Sequence, residues 1–73
     1  MEIGTRIITT TNKITNENLK EIIIPKGTLG TVCEIHPGYV LVEIWGGTAP
    51  KGIEGVFDFE LEEIKELSDS YQK

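Results

Sequence analysis

The chain has 73 residues, which is room for one small domain with a thin hydrophobic core. Hydrophobic residues make up 38% and charged residues 26%, a balance typical of a folded globular chain. No apolar run approaches the about 18 residues of a membrane-spanning helix, and the first residues lack the layout of a secretion signal. The single cysteine excludes an internal disulfide. We therefore expect a cytoplasmic protein with no membrane partner.

The net charge of −5 comes entirely from the end of the chain. Residues 1–53 carry five acidic and five basic residues, whereas residues 54–73 carry seven acidic and two basic ones. Proteins that bind nucleic acids usually present a basic surface to the phosphates, so this distribution disfavours a nucleic-acid partner. Two interpretations of the acidic segment stay open, namely a solvated face that keeps the protein soluble and a surface that docks on a basic partner.

The residue types favour strands throughout the chain. Eleven isoleucines, four valines and eight threonines are β-branched and fit a pleated surface. Glycine and proline mark turns between the apolar runs. The predicted elements, in chain order, are a strand at 2–10, a long polar loop at 11–21, a short buried run at 22–24, a strand at 28–35 with a bulge or close backbone approach at Gly30, a tight turn at 36–38, a strand at 39–45, a glycine-rich loop at 46–52 and a strand at 56–59.

Residues 59–67 fit two local structures. Leu61, Ile64 and Leu67 recur every three residues, as in a helix or as in a single 3₁₀ turn followed by a strand. Residues 68–73 are typical of a frayed C-terminal tail. We therefore predict one domain at 1–67. Several short strands separated by turn signals favour a sandwich or a barrel, and a closed barrel also hides strand edges.

Four segments of the chain follow a known order of motifs. They are Met1 to Ile7 (an opening φ-x-x-G-x-x-V pattern), Lys26 to Ile35 (K-G-x-x-G-x-V-x-x-I), Tyr39 to Ile44 (the following strand) and Phe59 to Ile64 (the closing e-L-e-x-I). Together they resemble the SH3-like small β-barrels, including those that carry a KOW motif. The resemblance implies an all-β, five-stranded SH3-like barrel with a long loop after the first strand and a 3₁₀ turn before the last strand. It implies binding to another macromolecule rather than catalysis, and for KOW-like modules an RNA, ribosome or transcription partner.

Residues that could carry catalysis or hold a metal are few. His36 is the only histidine and lies in a predicted turn, and Cys33 is the only cysteine, so a zinc site with four ligands is disfavoured. The carboxylates near the end of the chain lack the spacing of a calcium loop. No glycine-rich phosphate loop occurs. We expect a chain that is not an enzyme and holds no metal or cofactor; the carboxylates weighed for calcium are Asp58, Glu60, Glu62 and Glu63.

The predicted strand at 39–45 carries the strongest functional signal. Alternation along a strand sets Val40, Val42 and Ile44 on one face, the natural core, and the remaining residues on the other. An exposed row with Tyr39 and Trp45 is unusual for a monomer and typical of a binding surface. Three alternatives stay open: the segment 11–24 covers this row through Ile14, Leu19 and Ile22; a partner or second copy binds it; or it stacks the bases of a single strand.

The sequence favours a non-catalytic protein-binding module, a small accessory or adaptor subunit that docks on a larger protein. A KOW-like RNA-binding or ribosome-associated module is the first alternative, and a small-molecule or ion binder acting as a homo-oligomer is the second. A homodimer is also compatible with the pattern. The predicted partner-binding residues are Tyr39, Leu41, Trp45, Glu60, Glu62, Glu63 and Glu66, and the nucleic-acid alternative would use Arg6, Lys26 and Lys51.

Overall fold

The computed structural model describes residues 1–17, 19–49, 53 and 55–67. The described chain is all-β, as predicted, with one 3₁₀ turn and no α-helix in these ranges. No helix in them is long and apolar enough to cross a membrane. The elements are β1 (Arg6–Thr9), β2 (Lys13–Glu17), β3 (Lys20–Ile24), β4 (Thr28–His36), β5 (Tyr39–Gly47), β6 (Gly55–Phe59), the 3₁₀ turn (Leu61–Glu63) and β7 (Ile64–Glu66).

Five strands form one antiparallel sheet in the order β6-β5-β4-β1-β7, and β2 and β3 form a separate hairpin. The longest strands, β4 and β5, lie at the centre of the larger sheet, where tight pairing through the turn at Pro37 and Gly38 aligns them. Strands β6 and β7 are its two edges. Within the described residues, no backbone ladder joins these edges to close the sheet.

The prediction of a long loop at 11–21 is wrong for most of that segment. Residues 13–17 and 20–24 pair as a hairpin, with Ile14 opposite Ile23 and Thr15 opposite Ile22. Glu17 lies opposite Lys20, which leaves two residues between the strands, the shortest common hairpin connection. The asparagine and lysine residues of the segment conceal the short β-branched runs, Ile14-Thr15 in β2 and Ile22 to Ile24 in β3, that pair in the hairpin.

Several predicted boundaries also change. The first strand begins at Arg6 rather than at residue 2, because residues 3 and 4 form a turn with Gly4 at φ +95°. The run at 22–24 is not uniformly buried, since Ile24 is fully buried and Ile23 is half exposed. The strands at 28–35, 39–45 and 56–59 are confirmed with extensions of one or two residues. Residues 61–66 form the 3₁₀ turn and strand rather than a helix.

The core lies on the inner face of the larger sheet and is closed by the hairpin. Successive side chains of a strand point to opposite faces, so alternate positions of β4, β5 and β6 supply most of it. Ile24 reaches it from the hairpin, and Ile22 packs against its border. The buried apolar residues are Ile7, Ile24, Val32, Val40, Val42, Ile44, Phe57, Phe59 and Ile64.

Gly30 allows β4 and β5 to approach each other closely. A Cβ atom at this position would lie 2.6 Å from Val42 Cγ1 and 2.8 Å from the backbone oxygen of Glu43. The β4–β5 register shifts next to Gly30 and again between Val32 and Glu34. The prediction of a bulge and close approach at this glycine is therefore confirmed, and the two irregularities bend the central strands around the core.

Side-chain contacts fasten the hairpin to the larger sheet. The Thr9 hydroxyl donates a hydrogen bond to the Pro25 oxygen at 2.8 Å and accepts one from the Thr28 N–H at 2.9 Å. The Lys13 Nζ lies 2.9 Å from Glu63 Oε1 and 5.2 Å from the centroid of the Phe59 ring. Each buried polar group in these contacts is satisfied, so the hairpin is held without a continuous backbone ladder.

Candidate functional site

The side of β4, β5 and β6 that points away from the core carries a row of aromatic and aliphatic side chains. Val40, Val42 and Ile44 are buried, as the alternation predicts. Trp45 is 51% exposed and Tyr39 38% exposed, while Leu41 is half-buried between them. We call this surface the outer face. Its residues are Glu34, His36, Tyr39, Leu41, Glu43, Trp45, Val56 and Asp58.

The two ends of this row are held in place by polar contacts. At one end the His36 and Tyr39 rings stack, with centroids 4.9 Å apart and planes 12° from parallel, and His36 Nε2 lies 2.8 Å from Glu34 Oε1. At the other end Trp45 Nε1 donates a hydrogen bond to Thr31 Oγ1 at 2.9 Å. Both aromatic side chains are therefore positioned before any partner binds, which reduces the entropy that binding would cost.

Strand pairing sets carboxylates among the apolar side chains. Leu41 lies opposite Asp58 and Glu43 lies opposite Val56, and directly paired residues share a face. Strands β4, β5 and β6 contain no lysine or arginine. The outer face is thus apolar and acidic at once. This composition was only partly accessible from sequence, because Glu34 and Asp58 join the face through a bulge and a pairing register that no local pattern encodes.

The acidic residues predicted to steer a partner are placed differently from one another. Glu60 follows β6 with extended backbone (φ −81°, ψ 154°) and continues the line of Asp58. Glu62 is exposed in the 3₁₀ turn. Glu66 lies on β7, the sheet edge opposite β6, and its Oε2 is 3.6 Å from the N-terminal amine of Met1. Of these three, only Glu60 lies beside the outer face.

The Glu63 carboxylate belongs to the internal packing. Its Oε1 accepts hydrogen bonds from Lys13 Nζ at 2.9 Å and from the Glu60 N–H at 2.8 Å. Partial burial acts to raise the pKa of Glu63, but these two hydrogen bonds and the charge of Lys13 outweigh it, so the pKa lies below its ordinary value. A carboxylate engaged in this way holds the hairpin and is a poor candidate for contact with a partner.

An open groove of about 380 Å³ borders the outer face and separates β6 from the hairpin. Polar hairpin residues form one wall, and β6 forms the other. The residues that line it are Thr15, Asn16, Tyr39, Leu41, Val56, Phe57 and Asp58.

The hairpin does not cover the outer face in the way that one alternative predicted. Ile14 is 62% exposed and Leu19 is fully exposed, so neither side chain lies on the aromatic row. Ile22 packs against the core instead. The tip-proximal residues Thr15 and Asn16 come beside the row without burying it, and two aromatic side chains stay accessible.

The residues of the nucleic-acid alternative are not brought together in the part of the chain that the structure describes. Arg6 begins β1, whereas Lys26 lies in the turn whose Gly27 N–H bonds to the oxygen of Thr9, at the far end of β1. Lys51 lies outside the described residues. Cys33 is half-buried, with Sγ 3.4 Å from the Leu41 oxygen.

Comparisons with family models, with curated proteins and with solved structures find no match. Among residues 1–17, 19–49, 53 and 55–67, no three histidine, cysteine or carboxylate side chains converge as metal ligands would. The outer face and its groove are the candidate functional site.

Proposed function

We propose that this chain is a non-catalytic protein-binding module, a small accessory or adaptor subunit that docks on a larger protein through the outer face. The observation that carries the proposal is the combination of exposed, positioned Tyr39 and Trp45 with carboxylates on strands that contain no lysine or arginine. Aromatic side chains dominate the affinity of protein interfaces. Carboxylates around them attract a basic surface and raise the association rate.

We further propose that the five-stranded sheet curls into an SH3-like barrel with the β2–β3 hairpin as its first long connection. The strand order, the antiparallel pairing and the 3₁₀ turn before β7 support this arrangement. In such a fold the central strands β4 and β5 form a rigid platform. Rigid elements hold binding residues more precisely than loops do.

The test uses a photo-crosslinking amino acid in place of Tyr39 and, as a control, in place of Leu61, which is 54% exposed in the 3₁₀ turn. Each protein is incubated with nuclease-treated lysate of the native host. We expect one protein to be recovered in stoichiometric amount and crosslinked from position 39 only. Equal crosslinking from both positions would contradict docking through the outer face, and recovery that nuclease abolishes would favour the KOW-like nucleic-acid alternative.

A substitution then measures the contribution of the aromatic row. We expect Trp45→Ala to raise the Kd for the recovered partner by about tenfold or more, the cost typical of a buried interface aromatic. Leu61→Ala should change the Kd by less than about twofold. Melting curves of both variants check that each is folded. An unchanged Kd for Trp45→Ala would contradict the claim that the aromatic row contributes to the affinity for the partner.

A further inference from the structure

Strand β6 is a sheet edge that faces the hairpin across the groove. Strand β2 runs past it, with Lys13 beside Phe59 and with Thr15 and Asn16 across from 56–58. Within the described residues, no backbone hydrogen bond joins β6 to either hairpin strand. The Cα atoms of β6 lie more than 8 Å from those of β2 along most of the strand.

This separation leaves that side of β6 without a neighbouring strand within the described residues. Hydrogen-bonded strands lie about 4.8 Å apart, so two strands that flank a third are separated by about 10 Å. Three consecutive β6 residues, Val56, Phe57 and Asp58, line the groove. Successive side chains of a strand point to opposite faces, so three consecutive residues do not line a groove through side chains of one face. They line it along the edge of the strand, where backbone N–H and C=O groups are presented.

The chemistry of the groove selects the occupant. Asp58 lies in it, and Glu60 continues the same line. Lys13, the cation that borders it at the Phe59 end, is already paired with Glu63. Apolar contact is offered on the opposite face of β6 by Phe57, which also lines the groove. An extended chain that alternates basic and apolar side chains would match both the carboxylates and the apolar surface.

We propose that the groove binds an extended basic segment of a protein partner, which adds to β6 as a further antiparallel or parallel strand. The inference rests on the proposed function and specifies how the partner is held. Main-chain hydrogen bonds to β6 supply affinity, and alternate side chains of the segment supply selectivity. Lysine or arginine side chains at alternate positions of the segment meet Asp58 on the outer face, and the apolar side chains between them point to the opposite face, on the side of Phe57.

The probe is an acetylated and amidated peptide of the sequence Lys-Val-Lys-Thr-Lys-Val-Lys, and its control is the same peptide with an N-methyl group on every residue. The N-methyl groups keep charge and side chains but prevent strand pairing along both edges. We expect the probe to increase hydrogen-exchange protection of backbone amides within Gly55–Phe59. We expect the N-methylated peptide to bind at least about tenfold more weakly, because several backbone hydrogen bonds are lost.

Two charge-reversal variants with the same change in net charge provide the matched comparison. Asp58→Lys should weaken binding of the probe by about tenfold, whereas Glu62→Lys, at an exposed position outside the groove, should weaken it by less than about twofold. Equal effects of both variants would reduce the interaction to general charge attraction and overturn the proposal. So would a probe that binds without protecting β6, or failure of the probe to bind at millimolar concentration.

These outcomes are distinguishable from failure of the proposed function. If position 39 crosslinks a partner and Trp45→Ala weakens it, but the N-methylated peptide binds as well as the probe, the partner uses side chains of the outer face and strand addition is wrong. If position 39 crosslinks nothing and Trp45→Ala has no effect, the proposed function itself fails.

Discussion

The five-stranded sheet and the β2–β3 hairpin are built from the same β-branched residue types, yet they are held in different ways. In the sheet, continuous backbone ladders join β6, β5, β4, β1 and β7. At Gly30 the backbone of β4 packs so closely against Val42 of β5 that no space is left for a side chain. The hairpin has its own ladder but none to the sheet in the described residues. It is attached by Ile24 in the core and by polar contacts such as that between Lys13 and Glu63.

This difference assigns separate tasks to the two regions. A ladder with a buried face fixes every side chain on its other face, so the sheet is suited to present a preformed surface. A hairpin held by a few side-chain contacts opens at a lower free energy than the sheet does. The groove lies at the boundary between these regions, with a fixed wall on β6 and a wall on the hairpin that is attached less firmly.

The largest expected effect comes from filling the close approach in the sheet. Gly30→Ala places a methyl group 2.6 Å from Val42 Cγ1 and 2.8 Å from the backbone oxygen of Glu43. Relief of this overlap requires the two central strands to separate. We expect a loss of about 2–3 kcal/mol in the free energy of unfolding, measured by urea denaturation.

The matched control is Gly46→Ala, in the neighbouring strand β5 and without a positive φ, where an added Cβ meets no atom within 4 Å. We expect this substitution to be neutral or slightly stabilising, because strand interiors favour a side chain over glycine. Comparable losses for the two variants would show that the sheet is not closely packed at Gly30 and would weaken the contrast with the hairpin.

The next effect concerns the attachment of the hairpin and depends on pH. The folded-state pKa of Glu63 lies below its ordinary value of 4.5, so ionised Glu63 stabilises the fold. This stability is fully present above the ordinary value and is lost as pH falls through the lowered folded-state pKa. We expect hydrogen exchange at Thr15 and Ile22, a hydrogen-bonded pair of the hairpin, to accelerate over this acidic range before exchange at Val42 of the sheet does.

Glu63→Gln serves to isolate this effect. The variant should lose about 1–2 kcal/mol of hairpin stability at neutral pH, since Lys13 keeps a partner without a full charge. It should also lose the acid dependence of exchange at Thr15. Glu62→Gln, one residue earlier and exposed, should retain that dependence. Simultaneous loss of protection in the hairpin and the sheet would mean that the two regions unfold as one unit.

The sheet was largely predictable from the sequence, whereas the hairpin was not. The boundaries of β4 and β5 are predicted to within two residues by strong local signals. These signals are the tight turn at His36 to Gly38 and the alternation from Tyr39 to Trp45. In the segment 11–24, asparagine and charged residues interrupt the apolar pattern, which predicts a loop, and Ile14 and Ile23 are exposed although they are apolar. Only tertiary contacts, those of Ile24 with the core and of Lys13 with Glu63, select the paired conformation.

The candidate site was predictable along one strand and not across strands. Alternation places Tyr39, Leu41 and Trp45 on a common face without knowledge of the neighbours. The carboxylates beside them depend on register, because Asp58 becomes a neighbour of Leu41 only through the β5–β6 pairing. The acidic run at the end of the chain predicts a surface that steers a partner. Its Glu63 carboxylate instead accepts a hydrogen bond from Lys13 and holds the hairpin.

The smallest expected effect is a gain of stability at the hairpin turn. Leu19 has φ +65°, so its backbone has the left-handed conformation that is unfavourable for a residue with a side chain. Its side chain is fully exposed, so no packing contact compensates for this strain. That cost is about 1–2 kcal/mol for a residue with a side chain, and glycine avoids it at the expense of about 0.5–1 kcal/mol of backbone entropy. We therefore expect Leu19→Gly to raise Tm by about 2–5 °C and to slow exchange at Thr15 more than at Val42. Lys20→Gly, in the adjacent extended position, should lower Tm instead, because glycine weakens a strand interior. If both substitutions lowered Tm, the turn would not be a point of backbone strain, and the weaker attachment of the hairpin would lie wholly in its contacts with the sheet.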